Sequence, residues 1–283
     1  MVTMKTLLLT LLLVPMMSFG QNVNIPDANF KNHLLADPNI NTNGDSEIQV
    51  SEASAFTGGI YCVGQNISEL TGIEAFTALT ELECGVNQLT SLDVSNNTAL
   101  TSLICDDNQL TSLDVSNNTA LEVLGCGDNQ ITSLDVSNNT ALEELGCSQN
   151  NLLTSLDLSN NSNLIELYCS DNQQLQCLNI KNGNNTAFSV FNVLGNPNLT
   201  CIEVDDVSYS SVNWTNIDSQ TSFSTDCNNG CSNTSSISEL NNTPKQLIKI
   251  ADVLGRETPF KPNTPLIYVY DDGSIEKVFS VEY

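Results

Sequence analysis

The sequence predicts an α/β-solenoid of mostly parallel short strands, with a small helical cap before it and a small β-domain after it. Three observations predict this. The phrase LTSLDVSNNTAL stands at Leu89 to Leu100 and again at Leu110 to Leu121, with ITSLDVSNNTAL at Ile131 to Leu142 and LTSLDLSNNSNL at Leu153 to Leu164. The start-to-start spacing is 21, 21 and 22 residues, and self-similarity at a fixed period of this size marks stacked supersecondary units. Composition also changes on either side of the array, from a polar helical stretch before Phe56 to apolar strand-like runs beyond Asn242.

Residues 1–20 read as an export signal. Lys5 opens it, Leu7 to Val14 form the apolar run, and Ser18, Phe19 and Gly20 precede Gln21. That run is too short to span a bilayer, and no later stretch has the roughly 20 apolar residues a transmembrane helix needs. The expected location is therefore secreted, either extracellular or on the outer cell surface.

Residues 21–57 read as the helical cap. Asp27 can cap a short helix running to Ala36. Asn41 to Glu52, NTNGDSEIQVSE, lies on the calcium-loop template D-x-[DN]-x-[DN]-G-x5-E. In that register Asn41, Asn43 and Asp45 hold positions 1, 3 and 5. Glu47 offers its carbonyl at 7, Gln49 sits at the often water-mediated 9, and Glu52 is the bidentate acid at 12. The loop resembles those of EF-hand and dockerin-type modules, which implies Ca2+ as a cofactor. Asn41 in place of an acid and Ser46 in place of the turn glycine each weaken the site, toward the roughly 10⁻⁴ to 10⁻³ M affinities of extracellular modules.

Residues 58–225 form the repeat array and its C-terminal cap. A full unit, LTELECGVNQLTSLDVSNNTA, runs from Leu79 to Ala99, with counterparts beginning at Leu100, Leu121, Leu142 and Leu164. The frame L-x-x-L-x-C-x-x-N-x-L resembles the leucine-rich repeat family, whose consensus places a parallel strand on L-x-x-L-x-L and an Asn in the turn after it. Leu82, Leu103, Leu124, Leu145 and Leu167 match the second leucine, and Asn87, Asn108, Asn129, Asn150 and Asn172 match the turn Asn. Degenerate units around Cys62 and around Leu194 and Cys201 read as the first and last of about seven repeats, since end units must close an open core.

Where the family usually has a third leucine, this chain has Cys62, Cys84, Cys105, Cys126, Cys147 and Cys169. A residue two places after an inward leucine also points inward, and free Cys is among the most buried residue types. Rungs ~4.8 Å apart are too distant for neighbouring thiols to bridge without strain, and C-x2-C metal spacing is missing. Buried free thiols are expected. Cys177, Cys201, Cys227 and Cys231 are the disulfide candidates, Cys201 with Cys227 first. In the phrase itself Leu89, Leu92, Val94 and Ala99 are expected inward, and Asp93, Asp114, Asp135 and Asp157 form a column of like charges.

Leucine-rich arrays usually bind on the concave strand face, and the resemblance implies the same here. The face would carry Glu81, Glu83 and Gly85, then Ser102, Ile104 and Asp106, then Val123, Gly125 and Gly127. Glu144, Gly146 and Ser148 follow, then Glu166, Tyr168 and Ser170. Of these, Glu81, Glu83, Ile104, Asp106, Glu144, Glu166 and Tyr168 are the candidate ligand-binding residues.

The chain has 33 Asp plus Glu against 8 Lys plus Arg, and Lys181 is the only Lys or Arg between Lys31 and Lys245. Such a surface repels phosphate backbones and anionic headgroups, so nucleic acid is not expected as a partner. A basic protein, or one bridged by divalent cations, suits the charge. His33 is the only histidine, and one is too few for a two-His metal site. Catalytic signatures such as G-x-S-x-G and H-E-x-x-H are missing, so an enzyme is not expected. An extracellular hydrolase using paired acids, and a purely structural spacer, are the rival readings.

Residues 226–242 are rich in Ser, Asn, Thr and Gly and read as a linker. Residues 243–283 turn apolar, with strands expected at Leu247 to Val253, Leu266 to Tyr270 and Val278 to Val281, and a hairpin turn at Asp272-Gly273. Asp252, Gly255 and Arg256 match the D-x-x-G-R core of the C-terminal sorting domain of type IX secretion cargo in Bacteroidetes, and this block resembles that domain. The resemblance implies the type IX secretion machinery as a partner.

Overall fold

In each repeat the L-x-x-L-x-C stretch lays down three residues of extended chain. Alternation sends the middle side chain into the core and leaves its neighbours half-exposed. A computed structural model describes residues 20–228, 247–251, 256, 258–259, 265–270 and 275–279. The chain divides into two compact units, Met1–Asn233 and Thr234–Tyr283.

The first unit carries β1 (Gly59–Tyr61), β2 (Glu81–Glu83), β3 (Ser102–Ile104), β4 (Val123–Gly125), β5 (Glu144–Gly146), β6 (Ser155–Asp157) and β7 (Glu166–Tyr168). These are followed by β8 (Cys177–Asn179), β9 (Val190–Asn192), β10 (Cys201–Glu203) and β11 (Ser222–Ser224). One parallel sheet runs β1-β2-β3-β4-β5-β7-β9, and a second runs β11-β10-β8-β6 on the return side of the later turns. The repeat sequence anticipates the first sheet; the second is a finding of the structure.

Register in the first sheet follows the leucines: Ile60 pairs with Leu82, then Leu103, Leu124, Leu145, Leu167 and Phe191 in one line. All except Phe191 are at most 1 % exposed, and burying each such side chain contributes about 1.5–3 kcal/mol. Two residues on from each of the first six, Cys62, Cys84, Cys105, Cys126, Cys147 and Cys169 are free and buried. Burial pushes the Cys62 thiol up to about 12 and those of Cys84, Cys105 and Cys126 well above their usual range. For Cys147 a hydrogen bond with the Cys169 sulfur is the main cause of the same upward push, and burial adds to it.

Two ladders of asparagine serve the backbone between turns. In the expected one, Asn108 Nδ2 donates to the carbonyls of Cys84 and Cys105 (3.1 and 3.0 Å), and its Oδ1 accepts from the Leu89 N–H (3.0 Å). Asn129 repeats this with Cys105, Cys126 and Leu110. The residue before each turn Asn takes a left-handed backbone, as at Asp107, Asp128 and Asp171, and at Val86 with φ 56°. The second ladder is Asn97, Asn118, Asn139 and Asn161, all fully buried. Asn118 Nδ2 donates to the carbonyls of Val94 and Asn97, and Asn139 Nδ2 to those of Val115 and Asn118.

This second ladder corrects the inward set expected in the repeated phrase. Ala99 is only half-buried, whereas Asn97 and Leu100 fill the interior; Leu92 packs against the core as expected, and its counterparts Leu113 and Leu134 are buried. The Asp column is not a bare stack of like charges either: each Oδ1 accepts from the N–H two residues on, as Asp93 from Ser95 and Asp114 from Ser116 (both 2.9 Å). Those hydrogen bonds hold the Asp93 and Asp114 carboxyls below their usual range.

At the N-terminal end α1 (Ala28–Ala36) starts where Asp27 Oδ1 accepts from the Asn29 and Phe30 N–H groups, and it buries Phe30 and Leu34. The other Asp27 oxygen accepts from the Ser68 N–H and hydroxyl, both at 2.8 Å, which ties the cap to the first turn. α2 (Val50–Ala55) follows the loop and is closed by a capping box between Gln49 and Glu52. At the far end, α3 (Val207–Asn213) leads to Trp214, 4 % exposed, which stacks on Phe191 and meets Phe188, Tyr209 and Phe223 edge-on. Cys201 is bonded to Cys227, as expected, and Cys177 is also disulfide-bonded.

The second unit holds an antiparallel sheet of β12 (Leu247–Ala251), β13 (Pro265–Tyr270) and β14 (Ile275–Phe279). The last strand begins at Ile275 rather than Val278, because Ile275 pairs with Val269 and Phe279 with Pro265. Asp252, Gly255 and Asp272-Gly273 lie outside the described residues, as do residues 1–19 with the export signal. Among the described residues no helix is long and apolar enough to cross a membrane.

Candidate functional site

The first sheet presents its outer residues in three rows, one for each outer position of the strand triplet and one just beyond it. The first row reads Glu81, Ser102, Val123, Glu144, Glu166 and Val190, and the next reads Glu83, Ile104, Gly125, Gly146, Tyr168 and Asn192. Gly85, Asp106, Gly127, Ser148 and Ser170 follow at the strand ends.

Ile104, Asp106, Glu144 and Tyr168 line one depression of about 330 Å3, together with Val123, Gly125, Gly127, Asp128, Gly146, Ser148 and Gln149. Asp106 leans over its floor: its Oδ1 accepts from the Gly127 N–H. Burial pushes the Asp106 carboxyl up, the Gly127 N–H opposes this, and Asp128 and Asp107 add to the upward push. Glu144 and Glu166 are in-register neighbours, an arrangement that is unfavourable for like charges. The Tyr168 hydroxyl donates to Glu166 Oε2 at 3.0 Å, and this hydrogen bond raises the phenol above its usual range.

Glu166 stands beside Tyr168 but does not line the depression. Glu81 and Glu83 do not join it either, since three strand spacings, roughly 14 Å, separate Glu81 from Glu144. They stand instead beside Tyr61 of β1, whose hydroxyl donates to Glu81. Tyr61 is 51 % exposed, so the face carries a second aromatic that the candidate set did not include. The signal was available, because Tyr61 precedes Cys62 as Glu83 precedes Cys84.

The N-terminal loop gathers four of its five candidate ligands, Asn43, Asp45, Glu47 and Glu52, around one open depression of about 980 Å3, which Gln49 also lines. Asn41 is buried behind it. Asn41 Oδ1 accepts from the Gly44 N–H, Asn43 Oδ1 from the Asp45 N–H and Asp45 Oδ1 from the Glu47 N–H. The Glu52 carboxylate accepts from the Thr42 N–H and hydroxyl, the Asn43 N–H and the Gln49 N–H. Burial pushes the Glu52 carboxyl up, but these hydrogen bonds outweigh it and leave it below its usual range. Glu47 forms an ion pair with Lys31 at 2.7 Å. The donors are all oxygens, which suits a hard divalent cation, yet among the described residues no group of three or more His, Cys, Asp or Glu is disposed to hold a metal. His33 is half-buried on α1, and burial lowers its pKa against the pull of Asp37.

No protein-family model matches the chain. No curated protein matches it either. Among solved structures it is similar to an internalin, inlF, from Listeria monocytogenes str. 4b F2365, at 20 % identity and a TM-score of 0.51, over 74 % of this chain and 72 % of that one. The fold is a leucine-rich-repeat solenoid. Internalin C2 of the same strain aligns at 19 % identity and a TM-score of 0.48, over 72 % of this chain and 98 % of that one. The functional domain of InlJ from Listeria monocytogenes, described as including a cysteine ladder, aligns at 27 % identity and a TM-score of 0.45. The alignment takes in 65 % of this chain and 52 % of the InlJ chain, so this solenoid spans about half the length of that relative.

Proposed function

We propose that the protein works by binding a protein partner on the face of the first sheet, outside the cell, and that the partner brings positive charge. One observation carries this reading. The outer rows of β2 to β7 hold Glu81, Glu83, Glu144 and Glu166, with Asp106 just past the end of β3, on a stretch of sequence without Lys or Arg from residue 32 to 180. Carboxylates on a stretch of chain that carries no cation gain most from a cation supplied by another molecule.

The wider biology belongs to the same proposal. The N-terminal signal carries the chain across the inner membrane, and the C-terminal block engages the type IX secretion machinery and leaves the solenoid at the surface or released. Adhesion is the role that follows. Calcium in the loop of Asn41, Asn43, Asp45, Glu47 and Glu52 would stiffen the cap that starts the stack.

The test is a pull-down from extracts of surface proteins with the full chain as bait, against a variant carrying Glu81→Lys, Glu83→Lys and Glu166→Lys. A partner retained by the parent, lost from the variant and released by salt supports the reading. Equal capture by the two chains overturns it.

A further inference from the structure

Across β3, β4, β5 and β7 one row of the binding face reads Ile104, Gly125, Gly146, Tyr168. Two adjacent strands therefore show bare backbone between an aliphatic wall and an aromatic one. The walls are three strand spacings apart, roughly 14 Å between Cα atoms before their side chains narrow the gap. Glu144 borders this slot in the neighbouring row, and the Asp106 carboxylate lies over its floor, against the Gly127 N–H.

The glycines ask for an explanation, because glycine inside a strand weakens it. Neither Gly125 nor Gly146 has the positive φ that would require glycine. At Gly125 a side chain would meet the Asp106 carboxylate at 2.8 Å, so that glycine makes room for Asp106. At Gly146 a Cβ would have only ordinary contacts, 3.8 Å from Gly125 Cα and 3.9 Å from the Leu124 carbonyl. The fold does not need a glycine there, and what it leaves open is space on a binding face.

We propose that this slot receives one arginine side chain from an extended segment of the protein partner, its stem along Ile104 and Val123 and its guanidinium between Asp106, Glu144 and the Tyr168 ring. The proposal deepens the binding reading above and rests on it. Three features select arginine. The slot is long enough for an extended stem, which buries its methylenes on apolar surface. It offers two carboxylates, which a planar guanidinium can address together where an ammonium acts as a point charge. It also offers an aromatic face, on which arginine stacks. The strands that form the slot supply no cation of their own, since none occurs between Lys31 and Lys181.

The test uses the full chain labelled with 15N and three acetylated, amidated seven-residue peptides that differ only at the centre: arginine, lysine or the uncharged isostere citrulline. The arginine peptide is expected to shift the amide signals of Gly125, Gly127 and Gly146 in a saturable way, the lysine peptide to bind more weakly, and the citrulline peptide to bind about tenfold more weakly or worse. Gly146→Leu should fill the slot and abolish these shifts while leaving the melting temperature unchanged or raised. No saturable shift with the arginine peptide, equal shifts with citrulline, or full binding by Gly146→Leu overturns the proposal. Should the slot fail while capture of a partner still depends on Glu81, Glu83 and Glu166, the broader binding reading stands without it.

Discussion

The side-chain amide of Asn118 donates to the backbone carbonyl of Asn97, 2.9 Å away and one turn earlier in the solenoid. Its second hydrogen goes to the Val94 carbonyl at 3.0 Å. Asn118→Ala strips a partner from two buried carbonyls and is expected to destabilise the solenoid by roughly 2–4 kcal/mol. The adjacent Asn117 is exposed, with one long contact to the Ser95 carbonyl, so Asn117→Ala should stay within about 0.5 kcal/mol. Urea unfolding of the two variants side by side measures the contrast, and similar losses would remove the inward role of Asn118.

The six ladder thiols should be inert in the folded protein. They are fully buried, and desolvation keeps those of Cys62 to Cys126 protonated at neutral pH, whereas the thiolate is the reactive form. An aromatic disulfide reagent is expected to titrate none of them in buffer and all six after denaturation. Rapid native reaction would show that the stack opens.

Asp106→Asn tests the cost of the carboxylate on the slot floor. An asparagine oxygen can still accept from the Gly127 N–H, without a charge in a partly desolvated place. Because burial raises the folded-state pKa of Asp106 above its unfolded value, the native state holds that proton more tightly. The parent's stability is then favoured at acid pH and falls as pH rises from the unfolded to the folded pKa. The variant should therefore match the parent in acid and melt higher, on the order of 1–2 °C, at neutral pH. A pH series of melting curves reads this directly.

Calcium at the N-terminal loop should raise the melting temperature of the cap. With a dissociation constant near 1 mM, 10 mM Ca2+ contributes about 1.4 kcal/mol. The control is Asp45→Ala rather than Glu52→Ala, because Glu52 also accepts from Thr42, Asn43 and Gln49 and its loss destabilises the loop with or without metal. Identical melting with calcium and with chelator would remove the cation from the proposal.

Cys227→Ser opens a loop closed over 26 residues and should cost roughly 3.5 kcal/mol on a chain-entropy estimate. Loss of that order, seen as earlier unfolding at the Trp214 end by its fluorescence, would show that the bridge holds down the terminal turn.

Most of the solenoid was legible because its signal is local and repeated. Leu82, Leu103 and Leu124 recur at one period, and the alternation of a strand then places Cys84, Cys105 and Cys126 beside them in the core. Asp27 announced α1 by the same kind of short-range chemistry. The Asn97 ladder was written in every phrase, but two identical residues stand side by side there, and residue type alone does not say which turns inward. The second sheet escaped for a different reason. Ser155–Asp157 and the earlier Ser91–Asp93 read alike, and only pairing with Cys177–Asn179 makes the later one a strand. Each residue of the slot was individually visible on the face. That Gly125 and Gly146 lie side by side between Ile104 and Tyr168 is a property of register across four strands, which a single repeat does not display.

The unbroken line from Leu82 through Leu145 has a modular consequence. Removing Leu100–Ala120 would join Ala99 to Leu121, a junction equivalent to the natural one between Ala99 and Leu100, and each remaining leucine would find a leucine opposite. The chain can therefore be shortened by whole turns without a mismatched seam, so length is a variable that this architecture can change in steps while its ends and the chemistry of each surviving rung stay as they were.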